Sequence, residues 1–404
     1  MRLPFLKTNG TRIVNESGKE VILRGVNLGG WLMMEGYMFG GRNTPEHEFR
    51  SSFEKALGKA ALDDIVTTFR DTFIQEEDIK TIKSWGANCV RLPFNYRLVE
   101  FEDRTYSLNE EGLKYLDRAV KWCEKYGLYC ILDLHAAPGA QNNAWHSDSY
   151  GKVELFDVEQ NRNRFSRLWF FLADRYRERS VIAGYDILNE PDIPFLDEPK
   201  IRSLYEAATA EIRSTDKKHI IFLEGNTWAQ RIDFLGKVKD RNTAYSIHNY
   251  GPVNFTHHFE PGLRYPGKSQ GMIWNKQKFD IFARAYSIFA KMADVPLYMG
   301  EFGVFARDGH YGEDQWVDDV LWACEKYNIS WTYWNYKTVA NLAYPDGIYR
   351  YTGNPLWVNR QGPIAGWETF ASLWQKEKGS MAYSWRTENF TRNDKIFSVL
   401  KKYF

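Results

Sequence analysis

The fold is decided by one stretch of sequence: NCVRLPF at residues 88–94, then NEEGLKYLDRAVKWCEKY at 109–126, then YCILDLH at 129–135. The two flanking runs are mostly apolar without alternation, as parallel strands buried on both faces are. In the middle segment apolar residues recur every three or four positions from Leu113 onward, and Gly127 follows as a helix stop. The stretch therefore predicts a strand–helix–strand unit.

The same alternation recurs along the chain. Eight runs of strand length are separated by longer segments, most with helical periodicity; 228–237 predicts one short helix. This period is typical of an α/β fold of the single (β/α)8 TIM barrel type. The rival is a doubly wound open sheet, whose usual glycine-rich phosphate turn is absent from the sequence. The eight predicted strands are 21–28, 88–94, 129–135, 182–190, 219–225, 243–250, 296–303 and 330–337.

Three segments lie outside a minimal barrel. Residues 31–73 follow the first strand and carry extra helical pattern, and residues 338–392 follow the eighth and are rich in Tyr, Trp, Gly and Pro. Because both leave the carboxyl ends of strands, we expect these elaborated βα loops to build the active-site face. Residues 8–20, with Asn-Gly and Ser-Gly turns, predict an N-terminal hairpin over the other end. We expect residues 1–404 to form one catalytic domain.

Composition and charge exclude several classes of function. The 404 residues carry 53 Lys plus Arg and 52 Asp plus Glu, a net charge of +1 that favours neither nucleic acid nor an anionic membrane surface as a partner. No run approaches the roughly 18 apolar residues of a membrane span. No secretory signal is visible at the start, so we expect a cytoplasmic protein unless the chain is a trimmed secreted form. The aromatic content of 16% suits a cleft that stacks on a ligand.

Polar residues stand at the ends of the predicted strands, where a barrel concentrates its chemistry. Two are carboxylates, Glu190 after the fourth strand and Glu301 after the seventh, and these strands lie across the barrel mouth. Carboxylates about 5–5.5 Å apart suit glycoside cleavage with retention, in which one protonates the leaving oxygen and the other, ionised, attacks the anomeric carbon. The whole set is Arg91, His135, Asn189, Glu190, His248, Tyr250, Glu301 and Trp334.

The other members of this set suggest supporting roles. Arg91 pairing with Glu301 would favour the ionised carboxylate, and Tyr250 would donate a hydrogen bond to it. Asn189 suits a sugar 2-hydroxyl, whose hydrogen bond tightens in the transition state. The residues expected to orient hydroxyls or the acid, or to stack under the sugar ring, are His135, His248 and Trp334.

Loop residues add candidates for sugar binding. Glu35, Asn95 and Gln141 stand at loop starts, where a polar side chain either binds a hydroxyl or makes a contact within the loops, such as Glu35 with Arg42. Loop aromatics suit core packing as well as stacking on sugar rings, and of these we predict Trp145 to bind substrate. The loop aromatics are Trp31, Tyr37, Trp145, Trp228, Trp274 and Trp357.

Two other classes of function fit less well. A metal hydrolase needs closely spaced ligands, and the close pairs are His257-His258 and His146-x-Asp148, with no H-E-x-x-H. We therefore expect no metal and no cofactor. A non-catalytic carbohydrate-binding barrel would keep aromatic stacking and lack a catalytic carboxylate, whereas both carboxylates are present.

The ordered motifs resemble those of glycoside hydrolase family 5 over about residues 20–340. The resemblance implies a (β/α)8 barrel that cleaves β-linked oligo- or polysaccharides with retention. It also implies that Glu190 is the acid/base and Glu301 the nucleophile. The motifs are VRLP at 90–93, LDLH at 132–135, LNEP at 188–191, HNY at 248–250, GEFG at 300–303 and Trp334.

Two stretches resemble the exo-β-1,3-glucanase branch of that family: RGVNLGGWL at 24–32, with Glu35, and HAAPGAQN at 135–142. The glutamate matching Glu35 contacts the non-reducing-end sugar in that branch. The branch has an acidic residue soon after Gln-Asn, where Trp145-His146 stands here. GWLMMEGY resembles bacterial members acting on β-mannan and gluco-oligosaccharides. We therefore rank β-1,4-linked manno- or gluco-substrates first and β-1,3-glucan second. If the two insertions fold over one end of the cleft, we expect release of short sugars from the non-reducing end; an open groove is the alternative.

Overall fold

The computed structural model describes residues 2–404 and shows eight parallel strands closed into a barrel with helices around it. The (β/α)8 barrel predicted from the sequence is confirmed. The strands of residues 2–404 are β1 (Leu6–Asn9), β2 (Arg12–Asn15), β3 (Arg24–Asn27), β4 (Cys89–Asn95), β5 (Tyr129–Ala136), β6 (Ile182–Asp186), β7 (Ile220–Glu224), β8 (Thr243–Asn249), β9 (Gly267–Ser269), β10 (Met272–Trp274), β11 (Leu297–Phe302), β12 (Ser330–Tyr333), β13 (Lys337–Val339), β14 (Tyr349–Tyr351) and β15 (Thr391–Arg392).

The barrel consists of β3 to β8 in succession, followed by β11 and β12, and β12 pairs with β3 to close the ring. Every residue of β4 and β5 is buried. This burial on both faces explains the continuous apolar runs. No helix in residues 2–404 has the length and apolarity needed to cross a membrane. The helices are α1 (Glu46–Leu57), α2 (Lys59–Thr72), α3 (Glu76–Ser84), α4 (Glu110–Tyr126), α5 (Glu159–Tyr176), α6 (Glu198–Thr215), α7 (Asn226–Ala229), α8 (Val253–Thr256), α9 (Lys276–Ala293), α10 (Glu313–Lys326), α11 (Phe370–Ser384) and α12 (Asp394–Tyr403).

The connection from β7 to β8 departs from the regular pattern. The sequence predicted one short helix over 228–237, which was wrong: the chain forms the single turn α7 and a separate 3-10 turn at Asp233–Leu235. Thr227, Trp228 and Ala229 have left-handed backbone angles, with φ of 55°, 57° and 59°. Residues with a Cβ rarely adopt this backbone conformation, and it cannot continue a right-handed helix.

The N-terminal hairpin closes the amino-terminal end of the barrel. β1 and β2 pair antiparallel around the Asn9-Gly10 turn, so the hairpin begins two residues earlier than the 8–20 expected from the turn signals. Leu6 and Ile13 are buried in one cluster with Ile220 of β7 and other barrel residues. This end of the barrel is therefore filled with apolar side chains.

The two insertions pack on each other at the opposite end. Trp367, from the segment after β12, stacks on Phe49 of α1 with ring centroids 5.0 Å apart and planes 5° from parallel. Tyr37, from the first insertion, meets Tyr344, from the second, with centroids 5.1 Å apart. Both tyrosines line the cavity at the carboxyl ends of the strands, so the elaborated loops form part of that face, as the sequence indicated.

Candidate active site

A cavity of about 330 Å³ opens at the carboxyl ends of the barrel strands. Its walls come from both insertions and from the loops after β5 to β8, and its base comes from strand-end side chains. The residues predicted from the sequence that line it are Glu35, Tyr37, His135, Trp145, Glu190, Trp228, Tyr250, Glu301 and Trp334.

Glu190 and Glu301 face each other in this cavity. One oxygen of each carboxyl group and one ring nitrogen of His248 lie within 4.8 Å of one another. Retaining glycosidases hold their two carboxyl groups about 5–5.5 Å apart, whereas inverting enzymes leave about 6.5–9.5 Å for a water molecule. The separation in this protein therefore fits the retaining arrangement.

Glu301 is held at both carboxylate oxygens. Arg91 Nη1 donates to Oε1 at 2.7 Å, and the Tyr250 hydroxyl donates to Oε2 at 2.7 Å. Both contacts agree with the pairing expected from the sequence. They fix the direction of the carboxylate, and the guanidinium charge beside it opposes the binding of a metal cation at this pair.

Arg91 is the centre of a buried charge network. Its guanidinium lies 2.7 Å from Glu301, 2.9 Å from Asp186, 3.0 Å from Glu224 and 3.2 Å from Asp133, and the side chain is fully buried. Burial alone lowers the pKa of Arg91, but the four carboxyl groups outweigh it and raise the pKa well above its usual value. Burial and the charge of Glu224 raise the pKa of Asp186 well above the usual range, so this site limits the number of ionised carboxyl groups.

Sequence reasoning missed three members of this network. Asp133 lies two residues before His135, on the same face of β5, and its Oδ2 is 2.8 Å from His135 Nδ1. Glu224 ends β7, and its Oε2 accepts a hydrogen bond from the Glu190 backbone N–H at 2.6 Å. An acidic residue at a strand end was the signal for Glu224, and strand alternation was the signal for Asp133. Asp186 ends β6 as the structure has it, four residues before the predicted strand end.

Glu190 is constrained both by its backbone and by two histidines. Its φ of +46° lies in the left-handed region, which is uncommon for a residue with a side chain and is often found at functional sites. His248 Nδ1 lies 2.8 Å from Oε1, and His146 Nε2 lies 3.2 Å from Oε2. Burial raises the pKa of Glu190, but the hydrogen bonds and charges of His146 and His248 outweigh it and lower the pKa well below its usual value. This direction is opposite to the protonated carboxyl expected from the sequence.

His135 and Trp334 form the base of the cavity. Their rings stack with centroids 5.4 Å apart and planes 8° from parallel, and Trp334 Nε1 donates to the Tyr37 hydroxyl at 2.7 Å. Burial lowers the pKa of His135, but Asp133, Glu301 and Glu35 outweigh it and raise the pKa to about 9. The base is therefore a fixed aromatic surface with a positive imidazolium at one side.

Glu35 is buried at the cavity wall with an unused oxygen. Its Oε1 has no hydrogen-bond partner among residues 2–404 and lies 3.8 Å from His135 Nε2. The alternative pairing with Arg42 is absent, because Arg42 Nε donates to Glu368 at 2.6 Å. Burial raises the pKa of Glu35 to about 8, the charges of Glu301 and Glu190 add to this, and His135 opposes it. Glu35 is therefore mostly a neutral carboxylic acid at neutral pH.

Asn95 and Gln141, both expected to bind substrate, do not line the cavity. Asn95 Nδ2 donates to Asp148 Oδ2 at 2.9 Å. Gln141 Nε2 donates to the backbone oxygens of His135 and Asn189, at 2.7 and 2.8 Å. Both side chains are completely used in holding loops together. The loop aromatics that pack away from this cavity are Trp31, Trp274 and Trp357.

Asn189 lies beside the carboxylates with one free donor. Its Oδ1 accepts from Arg91 Nη2 at 3.0 Å. This contact fixes the amide, and its Nδ2 has no partner in the described part of the chain. The amide nitrogen is therefore available for an acceptor such as a sugar hydroxyl.

A parallel barrel with two opposed carboxylates over an aromatic base defines a glycoside hydrolase. The family model Cellulase (glycosyl hydrolase family 5) matches residues 53–339, and the chain belongs to this family, whose members cleave with retention. The resemblance seen in the motifs is thus confirmed.

Relatives of the chain carry several activities. It is 35% identical over 352 residues to a β-xylosidase of Phanerodontia chrysosporium, and the match covers 83% of this chain and 71% of that protein. It is 31% identical over 299 residues to endoglucanase C of Acetivibrio thermocellus, and the match covers 66% of this chain and 85% of that protein. A glucan 1,3-β-glucosidase of Candida oleophila is 32% identical over 208 residues, 48% of each chain. Cel5A of Thermotoga maritima, solved with cellobiose, shares the fold at a TM-score of 0.63 and 22% identity, covering 94% of this chain and 97% of that one.

Proposed function

We propose that the protein hydrolyses β-1,4-linked gluco- or manno-oligosaccharides with retention, and that it releases short sugars from the non-reducing end. The observation that supports this most directly is the Glu190–Glu301 pair, within 4.8 Å, in a cavity bounded by loop aromatics. Relatives named endoglucanase and cellodextrinase favour a glucan chain as the first substrate to test.

The first chemical step uses both carboxyl groups. Glu301, oriented by Arg91 and Tyr250, attacks the anomeric carbon while the bond to the leaving oxygen breaks. Glu190 gives its proton to that oxygen, so a neutral alcohol leaves and a glycosyl ester forms on Glu301. Asn189 Nδ2 donates to the sugar 2-hydroxyl as positive charge develops on the ring.

The second step reverses these roles. Glu190, now ionised, takes a proton from a water molecule as the water oxygen attacks the anomeric carbon. The ester bond to Glu301 breaks, and the sugar leaves with its original anomeric configuration. His248, bonded to Glu190 Oε1, orients the acid/base through both steps.

Glu35 and the aromatic base support recognition of a terminal sugar. The Oε1 of Glu35, which has no hydrogen-bond partner in residues 2–404, and the indole face of Trp334 border the same cavity. Beyond them, Tyr37, Trp145 and Tyr344 contact one another with ring centroids 5.1 to 5.8 Å apart. Three mutually packed rings narrow this side of the cavity, which favours release of one or two sugars over cleavage within a long chain.

A β-1,3-glucan is the second candidate, because a glutamate at the place of Glu35 contacts the terminal sugar in the exo-β-1,3-glucanase branch. Hydrolysis of cellotriose, mannotriose, laminaritriose and xylotriose, compared at equal concentration, tests the ranking. The highest kcat/KM on cellotriose or mannotriose would support the first candidate. The highest value on laminaritriose would favour the second, and the highest on xylotriose would contradict both.

Replacing Glu190 by Ala should separate substrates by their leaving group. The dinitrophenolate of a dinitrophenyl glycoside leaves without protonation, so kcat/KM on this substrate should change little. On an oligosaccharide, kcat/KM should fall by about 10²–10⁴-fold. Steady-state kinetics on the two substrates measures this difference. Equal losses on both substrates would contradict the assignment of Glu190 as the acid/base.

The effect of a Glu35 substitution on KM should depend on whether the new side chain replaces a neutral carboxyl group. Glu35→Gln keeps a neutral side chain of the same size, so oligosaccharide KM should change little at neutral pH, whereas Glu35→Ala should raise it about tenfold or more, the equivalent of one hydrogen bond to a buried polar group. The wild-type KM should change above about pH 8, where Glu35 ionises, and the Gln variant should lose this change. A Gln variant as defective as the Ala variant would contradict the neutral role.

The mode of action has a separate test on a soluble long-chain glucan. An exo-acting enzyme releases mono- or disaccharide steadily while the viscosity of the solution falls slowly. An early fall in viscosity with mixed long products would contradict the exo proposal and leave the hydrolase assignment intact.

A further inference from the structure

The lining of the catalytic cavity changes in chemistry away from its base. Its carboxyl groups belong to Glu35, Glu190 and Glu301, which the mechanism above places around the terminal sugar and the bond that is cleaved. Within residues 2–404, no lysine or arginine lines the cavity. The remaining lining includes a set of apolar side chains that the mechanism does not use: Ala144, Trp228, Val253, Phe259 and Pro345.

One of these side chains, Trp228, lies close to the acid/base. Its ring meets the ring of His146 with centroids 5.4 Å apart, and His146 Nε2 lies 3.2 Å from Glu190 Oε2. Because Glu190 gives its proton to the leaving oxygen, the groups around Glu190 border the space that the leaving group occupies. Trp228 is therefore on the leaving-group side of the cavity.

Val253 and Phe259 continue the apolar lining to the protein surface. Both line the cavity, yet their side chains remain 39% and 50% exposed. His258, just before Phe259, has a left-handed backbone with φ of 58°. The Phe259 ring meets the ring of Tyr344 with centroids 5.4 Å apart. We call Trp228, Val253 and Phe259 the apolar rim; it leaves apolar surface that a bound molecule can cover.

His257, within this part of the lining, is uncharged. The Thr256 hydroxyl donates to the Tyr250 backbone oxygen at 2.6 Å, so it accepts from His257 Nδ1, which lies 3.0 Å away. The proton of the neutral ring is therefore on Nδ1. Burial lowers the pKa of His257 to about 4, although the charge of Glu190 opposes this. At neutral pH His257 thus adds no ionic group beside the apolar rim.

We propose that the site also cleaves β-glycosides whose leaving group is an apolar alkyl or aryl alcohol, and that the apolar rim binds this alcohol. The inference rests on the proposed function, because it uses the same two carboxyl groups. Glu190 gives its proton to the glycosidic oxygen as the bond to the anomeric carbon breaks, so the alcohol leaves as a neutral molecule. Glu301 carries the glycosyl ester until water releases the sugar.

An apolar alcohol matches the rim better than a second sugar does. A sugar carries hydroxyls around its ring, and a hydroxyl buried without a partner costs free energy. The polar side chains that line the cavity near the rim are few: His146, Gln230 and His257. A second sugar can keep its hydroxyls in water here, but it gains few partners. An alkyl or aryl group needs none and covers the exposed parts of Val253 and Phe259.

A series of alkyl β-glycosides tests this directly. The glycone is the sugar preferred in the trisaccharide comparison, and the alcohol runs from ethyl to octyl, below the micelle concentration. The pKa of the alcohol changes little along this series, so the chemical step stays the same. Each fully buried methylene contributes about fourfold in kcat/KM. Octyl should therefore exceed ethyl by about tenfold or more even if two methylenes are buried.

The double variant Val253→Ser/Phe259→Ser removes most of the apolar rim. Its octyl-to-ethyl ratio of kcat/KM should fall to about threefold or less. Both side chains are partly exposed, so the fold does not depend on them. The matched control is Met292→Ser on α9, which is 77% exposed and lies outside the cavity lining. This control should keep the wild-type ratio.

A second measurement reads binding without turnover. Titration calorimetry of the wild type with octyl and ethyl 1-thio-β-glycosides, whose sulfur linkage is cleaved slowly, should give the more negative heat-capacity change for octyl, which is the marker of apolar burial. The double variant should lose this difference. A flat alkyl series, a ratio unchanged in the double variant, or equal heat-capacity changes would overturn the inference. Failure of the proposed function looks different: the trisaccharides are then not cleaved, or Glu301→Gln keeps its turnover.

Discussion

Glu301→Gln should reduce turnover on every β-glycoside by about 10⁴-fold or more, because no glycosyl ester can form without the nucleophile. The amide keeps the size of the side chain and can still meet Arg91 and Tyr250, which bond Glu301 at 2.7 Å each. In Glu301→Ala, added azide should restore activity by entering the vacated space, and the product should be a glycosyl azide of inverted configuration. Steady-state rates and NMR of the azide product measure both effects.

The matched control is Glu77→Gln, on the exposed surface of α3, where Glu77 pairs with Lys80. It should keep full activity. A Glu301→Gln protein that retains a rate near that of the wild type would contradict the nucleophile assignment, as would azide rescue with retained configuration.

Arg91→Lys should lower the free energy of unfolding by about 3–5 kcal/mol, because a buried charge network loses the guanidinium that holds it together. The variant should also lose activity. Arg91 bonds or contacts four buried carboxyl groups and also Asn27 and Asn189. A lysine offers one ammonium group, which cannot reach all of them in the planar geometry of a guanidinium. Urea denaturation at neutral pH measures the loss.

Arg24→Lys provides the comparison. Arg24 is also on a barrel strand, but it pairs with one partly exposed carboxylate, Glu325. Its substitution should cost about 1 kcal/mol at most. Equal, small losses at both positions would show that the network around Arg91 is not the stabilising element described.

The fold was predictable because a buried parallel strand leaves a strong local signal. β4 and β5 are fully buried, and their apolar runs can be recognised from the local sequence alone. The place of Glu190 and Glu301 in the cavity was predictable for a related reason: both stand at the carboxyl ends of such runs, and in a barrel these ends meet at one face. The helix expected over 228–237 failed because Trp228 and Ala229, like Thr227 before them, have left-handed backbone angles, and nothing in Thr-Trp-Ala signals such a turn.

Contacts between loops could not be read from the sequence. Asn95 was predicted as a sugar ligand because it follows a strand, yet Asp148, in another loop, takes its donor. Glu35 and Arg42 are close in sequence, but Arg42 pairs with Glu368, in the second insertion. The same limit applies to His146, whose contact with Glu190 depends on the path of the loop after β5. Each of these outcomes depends on long-range packing, which local pattern does not encode.

In the proposed mechanism, Glu301 forms a covalent intermediate with the sugar while Glu190 serves as acid and base. The most direct measurement is mass spectrometry of the protein after incubation with a 2-deoxy-2-fluoro β-glycoside that carries a dinitrophenyl leaving group. The leaving group lets the glycosyl ester form, and the fluorine slows release of the sugar from the enzyme. We expect one added fluorosugar per chain, on the peptide that contains Glu301, and recovery of activity as the sugar is released. A label on a different residue, or an unlabelled protein that hydrolyses the parent glycoside normally, would contradict it.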